Sequence, residues 1–149
     1  MEKTLYVKCT GCGSINRLAD HEGERPICGK CKSPLDMTRA TPDRPFAVTD
    51  DNFLDEVLSA KIPVLVDFFA TWCGACRSIE PTLETIASRH KGKLKVGKLD
   101  VEQNRENAST YRIRATPTLI VFREGKLVER VEGALPETQL ETLVGKYIG

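Results

Sequence analysis

The residues in this 149-residue chain best suited to chemistry are its six cysteines, which all stand in Cys-x-x-Cys pairs: Cys9/Cys12, Cys28/Cys31 and Cys73/Cys76. Closely spaced thiols form structural disulfides in an oxidising compartment, bind a metal as thiolates, or cycle between dithiol and disulfide. The opening residues, MEKTLYVKCT, contain no apolar signal-peptide core, so a cytoplasmic protein is expected, where the metal and redox uses lead. Three copies of one spacing need not do one job.

Cys9-Thr-Gly-Cys12-Gly and Cys28-Gly-Lys-Cys31 are separated by 15 residues, at the short edge of the usual spacing for zinc. A two-residue gap lets two thiolates on one tight turn reach one ion, and Gly11, Gly13 and Gly29 let the turns close. Two such turns complete a tetrahedral four-thiolate site with no position open for catalysis, so one structural Zn2+ is expected on Cys9, Cys12, Cys28 and Cys31. The surrounding segment needs such a staple. Its large apolar residues are Leu5, Tyr6, Val7, Ile15, Leu18, Ile27, Leu35 and Met37, too few for a stretch of about 40 residues to fold by burial alone. His21 lies between the pairs, but four cysteines already suffice and a solvated loop histidine is expected. Nucleic-acid binding, another use of zinc ribbons, is not expected from a segment with one aromatic residue and little net charge.

The third pair, in Thr71-Trp-Cys73-Gly-Ala-Cys76, follows an apolar run and opens a helical pattern. A cysteine at a helix N-terminus has its thiolate stabilised by free backbone N–H groups and the helix dipole, which lowers its pKa. Cys76, one turn in, is expected to be more buried and close enough to attack a mixed disulfide at Cys73. A third metal half-site would lack a partner pair.

These groups require elements to position them. Residues 1–36 are expected as the four-cysteine segment, residues 37–45 with Pro42 and Pro45 as a linker, and residues 46–149 as the main domain. Phe46–Thr49 is expected as a strand, with Asp50 or Asp51 capping a helix over 52–60. The run Val64-Leu-Val-Asp-Phe-Phe-Ala reads as a strand buried on both faces. A long helix after Cys73 should kink at Pro81. A strand over 94–100, a helix over 103–111 and a hairpin turning at Glu124-Gly125 follow. A final helix runs from Pro136, placed at its first position, to Tyr147. The order β-α-β-α-β-α-β-β-α makes an α/β fold, a mixed central sheet flanked by helices. Its longest apolar stretch, Pro63 to Ala70, is too short to span a membrane. A net charge of +1 gives no electrostatic case for nucleic acid or an anionic membrane as partner.

Val66-Asp67-Phe68-Phe69-Ala70-Thr71-Trp72-Cys73-Gly74-Ala75-Cys76, with Pro81 five residues on, resembles the active-site segment of the thioredoxin family. Lys98-Leu-Asp-Val, Ile113-Arg-Ala-Thr116-Pro117-Thr118, Phe122-Arg-Glu-Gly125 and Gly133-Ala134 extend the resemblance over residues 46–149. With the N-terminal pairs, the chain is similar to the zinc-containing thioredoxin 2 type of bacteria, a thioredoxin fold with a small zinc-ribbon-like segment. The resemblance implies Cys73 as nucleophile, Cys76 as resolving thiol, Asp67 as a buried carboxyl exchanging the Cys76 proton, and Lys98 modulating Asp67. It implies a cis bond before Pro117, with Trp72, Gly74, Ala75, Thr116, Gly133 and Ala134 beside it in a groove for substrate. It further implies protein-disulfide substrates, recycling by an NADPH-dependent thioredoxin reductase, no organic cofactor of its own and a monomer.

Three positions depart from the family pattern: Ala75 stands for a usual proline, Phe69 for a tryptophan and Thr116 for an isoleucine. A Thr116 hydroxyl bonded to the Cys73 thiolate, and the turn relaxed by Ala75, would favour the dithiol and make a weaker reductant. An oxidant or isomerase is therefore the alternative enzyme, and a zinc-ribbon adaptor with a non-catalytic domain the alternative of another class. The metal is expected to be structural or a redox sensor.

Overall fold

A computed structural model of the chain describes residues 4–19 and 25–148; the expectation for His21 falls outside the described residues. The N-terminal segment contains two strands that the sequence did not announce, β1 (Leu5–Lys8) and β2 (Ile15–Leu18), paired antiparallel. Its core is Val7, Cys9, Leu18, Cys28 and Leu35, so two of its five buried apolar side chains are cysteines. That agrees with a segment whose burial alone is insufficient.

The main sheet holds β3 (Phe46–Ala47), β4 (Val64–Phe69), β5 (Lys95–Asp100), β6 (Thr118–Arg123) and β7 (Lys126–Glu132) in the order β3-β5-β4-β6-β7. β3, β5 and β4 are parallel, and β6 and β7 antiparallel. The helices are α1 (Gly74–Ser78), α2 (Glu80–Arg89), α3 (Arg105–Thr110) and α4 (Glu137–Gly145). This is the thioredoxin fold. β4 lies at the centre and is buried on both faces, as its unbroken apolar run requires. Val64, Val66 and Phe68 enter one core with Phe53, Val57, Leu99 and Phe122, while Leu65 enters the other with Leu83, Ile86, Val96 and Leu140. The same alternation turns Asp67 on β4 and Lys98 on β5 toward the α2 and α4 side.

Several local expectations change. In place of a regular helix over 52–60 the chain makes a π-helical turn, Leu54–Leu58. Thr49 and Asn52 cap its approach reciprocally, each side chain accepting from the other's backbone N–H at 3.1 and 2.7 Å. Asp50 instead caps α3, accepting from the N–H groups of Glu106 and Asn107 at 3.2 and 3.0 Å; local sequence could not reveal a cap supplied from 56 residues away. The helix after Cys73 breaks at Ile79 into α1 and α2, as Pro81 predicts, because proline offers no N–H to the preceding turn. Pro136 precedes α4 as its cap, one residue before its expected place. Glu124 and Gly125, at φ 53° and 78°, turn the β6–β7 hairpin.

Residues 37–45 lie ordered against both parts of the chain. Met37–Arg39 form a 3-10 turn capped by Asp36, and Thr41 exchanges backbone hydrogen bonds with Tyr6 at 2.7 and 2.8 Å. The Thr41 hydroxyl, fully buried, accepts from the backbone N–H of Gly92 at 2.6 Å. Gly92, at φ 82°, sits beneath Ile15, and a Cβ there would lie 3.2 Å from the Ile15 Cδ1. The N-terminal segment therefore docks where β5 begins.

Thr41→Val leaves the buried Gly92 N–H without an acceptor and should cost about 1–3 kcal/mol. Urea unfolding should show a lowered midpoint and earlier proteolysis of the N-terminal segment; an unchanged midpoint would show that this contact does not secure the docking.

Candidate active site and candidate metal centre

β4 delivers the chain into a turn, Ala70–Cys73, that opens α1. Cys73 is the N-cap of α1, and its sulfur accepts from the Cys76 backbone N–H at 3.1 Å. The sulfurs of Cys73 and Cys76 are joined as a disulfide, with Cα atoms 5.2 Å apart. Cys73 keeps 6 % of its surface exposed and Cys76 2 %, so an incoming group meets Cys73 first. An amide N–H aimed at the Cys73 sulfur stabilises the thiolate that forms when the disulfide opens.

Asp67 is fully buried, and neither carboxylate oxygen has a hydrogen-bond partner among the described residues. Desolvation drives its pKa up from an ordinary 3.8 to about 7; Lys98 opposes that rise and the Glu80 carboxylate adds to it. Lys98 is the register partner of Asp67 across β4 and β5, yet its ammonium donates to Glu80 at 2.9 Å and lies 4.7 Å over the Phe69 ring. Phe69, one of the departures from the family pattern, thus forms part of the seat of Lys98.

The Thr116–Pro117 bond is cis, and the Thr116 carbonyl oxygen lies 3.4 Å from the Cys73 sulfur. The carbonyl makes this approach in the disulfide state; the expected hydroxyl contact is to the Cys73 thiolate of the reduced protein. Pro117 accepts from the N–H of Gly133 at 2.7 Å, which brings Gly133 to the same edge. Trp72 is 70 % exposed beside Cys73, and its indole N–H donates to Glu102. Gly74, Ala75 and Ala134 are exposed and Thr116 half-buried. Glu80 and Glu102 escaped the sequence reading because each reaches its partner from another element.

The four N-terminal cysteines converge. Their sulfurs all lie within 4.8 Å of one another, with Cys9 to Cys31 and Cys12 to Cys28 both 3.6 Å. Four thiolates about 2.3 Å from a tetrahedral ion would be separated by about 3.8 Å, so the donor set fits zinc in number, type and spacing. The two turns are equivalent: Gly13 donates to the Cys9 carbonyl and Lys32 to that of Cys28, with both residues at positive φ, 80° and 66°. The sulfurs are also surrounded by donors. Gly11 N–H points at Cys9 at 3.3 Å, and Lys30 N–H and the Asn16 amide point at Cys28 at 3.4 and 3.5 Å. Cys28 is pulled down to about 5, chiefly by the Cys31 backbone N–H and then by the Ser14 hydroxyl. The Cys31 thiol is lowered by Ser33, through side chain and backbone. For Cys9 the Cys12 backbone N–H pulls downward, but burial and contact with Cys31 and Cys28 leave it raised. Backbone amides aimed at sulfur are what a thiolate-bound metal needs around it. The segment docks beside Gly92 at the start of β5, whereas Cys73 follows the end of β4. The six residues of β4 hold those two ends of the sheet roughly 20 Å apart.

The sequence model of the thioredoxin family matches residues 44–146. Thioredoxin of Synechocystis sp. is 44 % identical over 109 residues, covering 73 % of this chain and 98 % of that one. Thioredoxin 1 of Nostoc sp. is 46 % identical over 101 residues, 68 % of this chain and 94 % of that one. The chloroplastic M-type thioredoxin of Chlamydomonas reinhardtii is 46 % identical over 102 residues, 68 % and 73 % of the two chains. Among solved structures, a point mutant of thioredoxin from Halobacterium salinarum aligns with a TM-score of 0.68 and 40 % identity, over 73 % of this chain and 95 % of that one. Among the described residues no helix is long and apolar enough to cross a membrane.

The raised pKa of Asp67 has a stability consequence of definite sign. The folded chain keeps this proton while the unfolded chain loses it, so the contribution is full below pH 3.8 and is lost as pH rises to about 7. Asp67→Asn removes that loss. The variant should match the parent near pH 4 and exceed it by up to roughly 4 kcal/mol above pH 7; urea unfolding at both pH values measures the difference, and a constant difference would mean that Asp67 does not titrate in this range.

Proposed function

The chain belongs to the thioredoxin family and is a thiol-disulfide oxidoreductase, and from that premise we propose that it reduces protein disulfides through Cys73 and Cys76. The observation that carries the reading is the Cys73–Cys76 disulfide at the start of α1, with the Cys76 N–H aimed at the Cys73 sulfur. In the reduced protein, the Cys73 thiolate attacks one sulfur of the target, forming a mixed disulfide and releasing the target's first thiolate. The Cys76 thiolate then attacks the Cys73 sulfur, releasing the second target thiol and leaving the Cys73–Cys76 disulfide. Two electrons pass to the target, and a flavin- and NADPH-dependent thioredoxin reductase returns them.

Asp67 takes the Cys76 proton, directly or through water, since a carboxyl near pKa 7 exchanges protons at neutral pH. Lys98 modulates that titration. Trp72, Gly74, Ala75, Thr116, Pro117, Gly133 and Ala134 form the groove, where an extended substrate segment pairs with backbone beside the disulfide. Ala75 and Thr116 both bear on the reduced dithiol, and they keep an oxidant or isomerase as the second enzyme reading.

Cys9, Cys12, Cys28 and Cys31 would hold one Zn2+. Four thiolates leave no open position, so the ion supplies folding free energy to the N-terminal segment and no step of disulfide exchange. A cytoplasmic monomer fits this reading, since four cysteines kept reduced for a metal suit a reducing compartment.

Insulin reduction with thioredoxin reductase and NADPH tests the main reading: Cys73→Ser should lower turnover by at least about a thousandfold and Cys76→Ser should accumulate a mixed disulfide with the target. Wild-type activity in Cys73→Ser would sink it. Zinc measured on the same sample should approach one ion per chain. Chelation should expose the N-terminal segment to protease while insulin reduction falls less than about twofold, since the segment docks at the start of β5 and the disulfide follows the end of β4; a proportional loss of metal and activity would give zinc a direct part in exchange.

A further inference from the structure

Asp67 lies in an unusual setting for a buried carboxyl. Its nearest cation by strand register, Lys98, does not serve it. The Lys98 ammonium donates to Glu80 at 2.9 Å and sits 4.7 Å above the Phe69 ring, while both Asp67 oxygens are without a hydrogen-bond partner among the described residues. An ammonium on a four-carbon stem can turn either way, so something must hold it outward. Glu80 does this from the first residue of α2, the position freed when the helix breaks before Pro81. The Lys98–Glu80 pair borders an open cleft of about 560 Å³, walled by Asp43 and Arg44 on one side and by Glu84 of α2 on the other.

We propose that Glu80 is a positioning residue for the redox site: by holding the Lys98 ammonium at the cleft, it denies the Asp67 carboxyl a salt bridge. The proposal rests on the proton-transfer role given above to Asp67. The groups that face Asp67 are few. Among the described residues, Lys98 on β5 and Glu80 on α2 are the charged ones, and Leu119, its partner on β6, is apolar; Cys73 and Cys76, joined as a disulfide, carry no titrating thiol in this state. Glu80 acts twice in one direction, as a negative charge near Asp67 and as the tether of the positive one. Replacing it removes the first effect and releases Lys98 to approach Asp67, and both changes favour the Asp67 carboxylate.

The test follows the carboxyl itself, by NMR titration of carbon-13-labelled aspartate in the oxidised full-length protein, beside the pH profile of insulin reduction. Glu80→Gln should lower the Asp67 midpoint by about half a pH unit or more and move the acid limb of activity the same way. Glu84→Gln, one turn along the same cleft, should leave both unchanged. In a Lys98→Met background, Glu80→Gln should shift Asp67 distinctly less, because no tether remains to cut. An equal shift in both backgrounds would reduce Glu80 to a through-space charge and overturn the positioning role, as would an Asp67 midpoint that does not move. An Asp67 that fails to titrate near neutral pH in the unaltered protein would overturn the role of Asp67 itself, and is distinguished by requiring no variant.

Discussion

The constraint on which this structure depends is the double-sided burial of β4. Six consecutive residues, Val64–Phe69, fill the centre of the sheet and supply side chains to two cores at once. A strand so placed can neither shift register nor move without emptying both cores, since a one-residue slip would exchange every side chain between faces. The chain leaving it must turn at once into α1, which fixes Cys73 at a helix start. The single polar residue within the run, Asp67, inherits the same rigidity. It is buried because Leu65 on the same face and Leu119 opposite it on β6 are, and its high pKa is the electrostatic result of a packing requirement.

Two kinds of stabilisation operate at the two ends of the sheet. The main domain is held by cores that contain Phe68, Phe122, Leu83 and Ile86, fully or almost fully buried. The N-terminal segment has Val7, Leu18 and Leu35, with two cysteines completing its interior. There the thiols substitute for missing apolar bulk, and amide N–H groups converge on sulfur as they would on any buried anion. Residues 37–45 connect the two regimes through Thr41, whose backbone pairs with Tyr6 and whose hydroxyl holds Gly92. This junction lies at the start of β5, whereas the disulfide follows the end of β4.

The electrostatics of the site follow from a competition for one ammonium. Lys98 stands opposite Asp67 in the sheet, but Glu80 is half-exposed and keeps water as a second solvent for its charge, whereas Asp67 would ionise in an apolar interior. A lysine pairs at lower cost with the wetter carboxylate. The consequence is a buried acid whose neutral form persists to about pH 7.

Much of this was legible in the residues. The spacing of Cys9, Cys12, Cys28 and Cys31, the apolar run of β4, the break at Pro81 and the turn at Glu124-Gly125 are local features, and local chemistry was sufficient to read them. What sequence order hides is any partnership across elements. Asp50 or Asp51 is the local candidate to cap the helix beside it, and Asp50 instead caps α3; the Thr116 carbonyl, which no side-chain type marks, lies against the Cys73 sulfur. A stretch expected to be a linker contributes the buried Thr41, and Lys98 is claimed by a glutamate on α2 that no motif marks. The sequence by itself determined which residues carry thiol chemistry and that the N-terminal segment has too little apolar bulk to fold by burial alone, because composition and short-range spacing decide both. Only the tertiary structure decided where the ammonium, the caps and the carbonyl are aimed, because each depends on distances between elements that the fold alone sets.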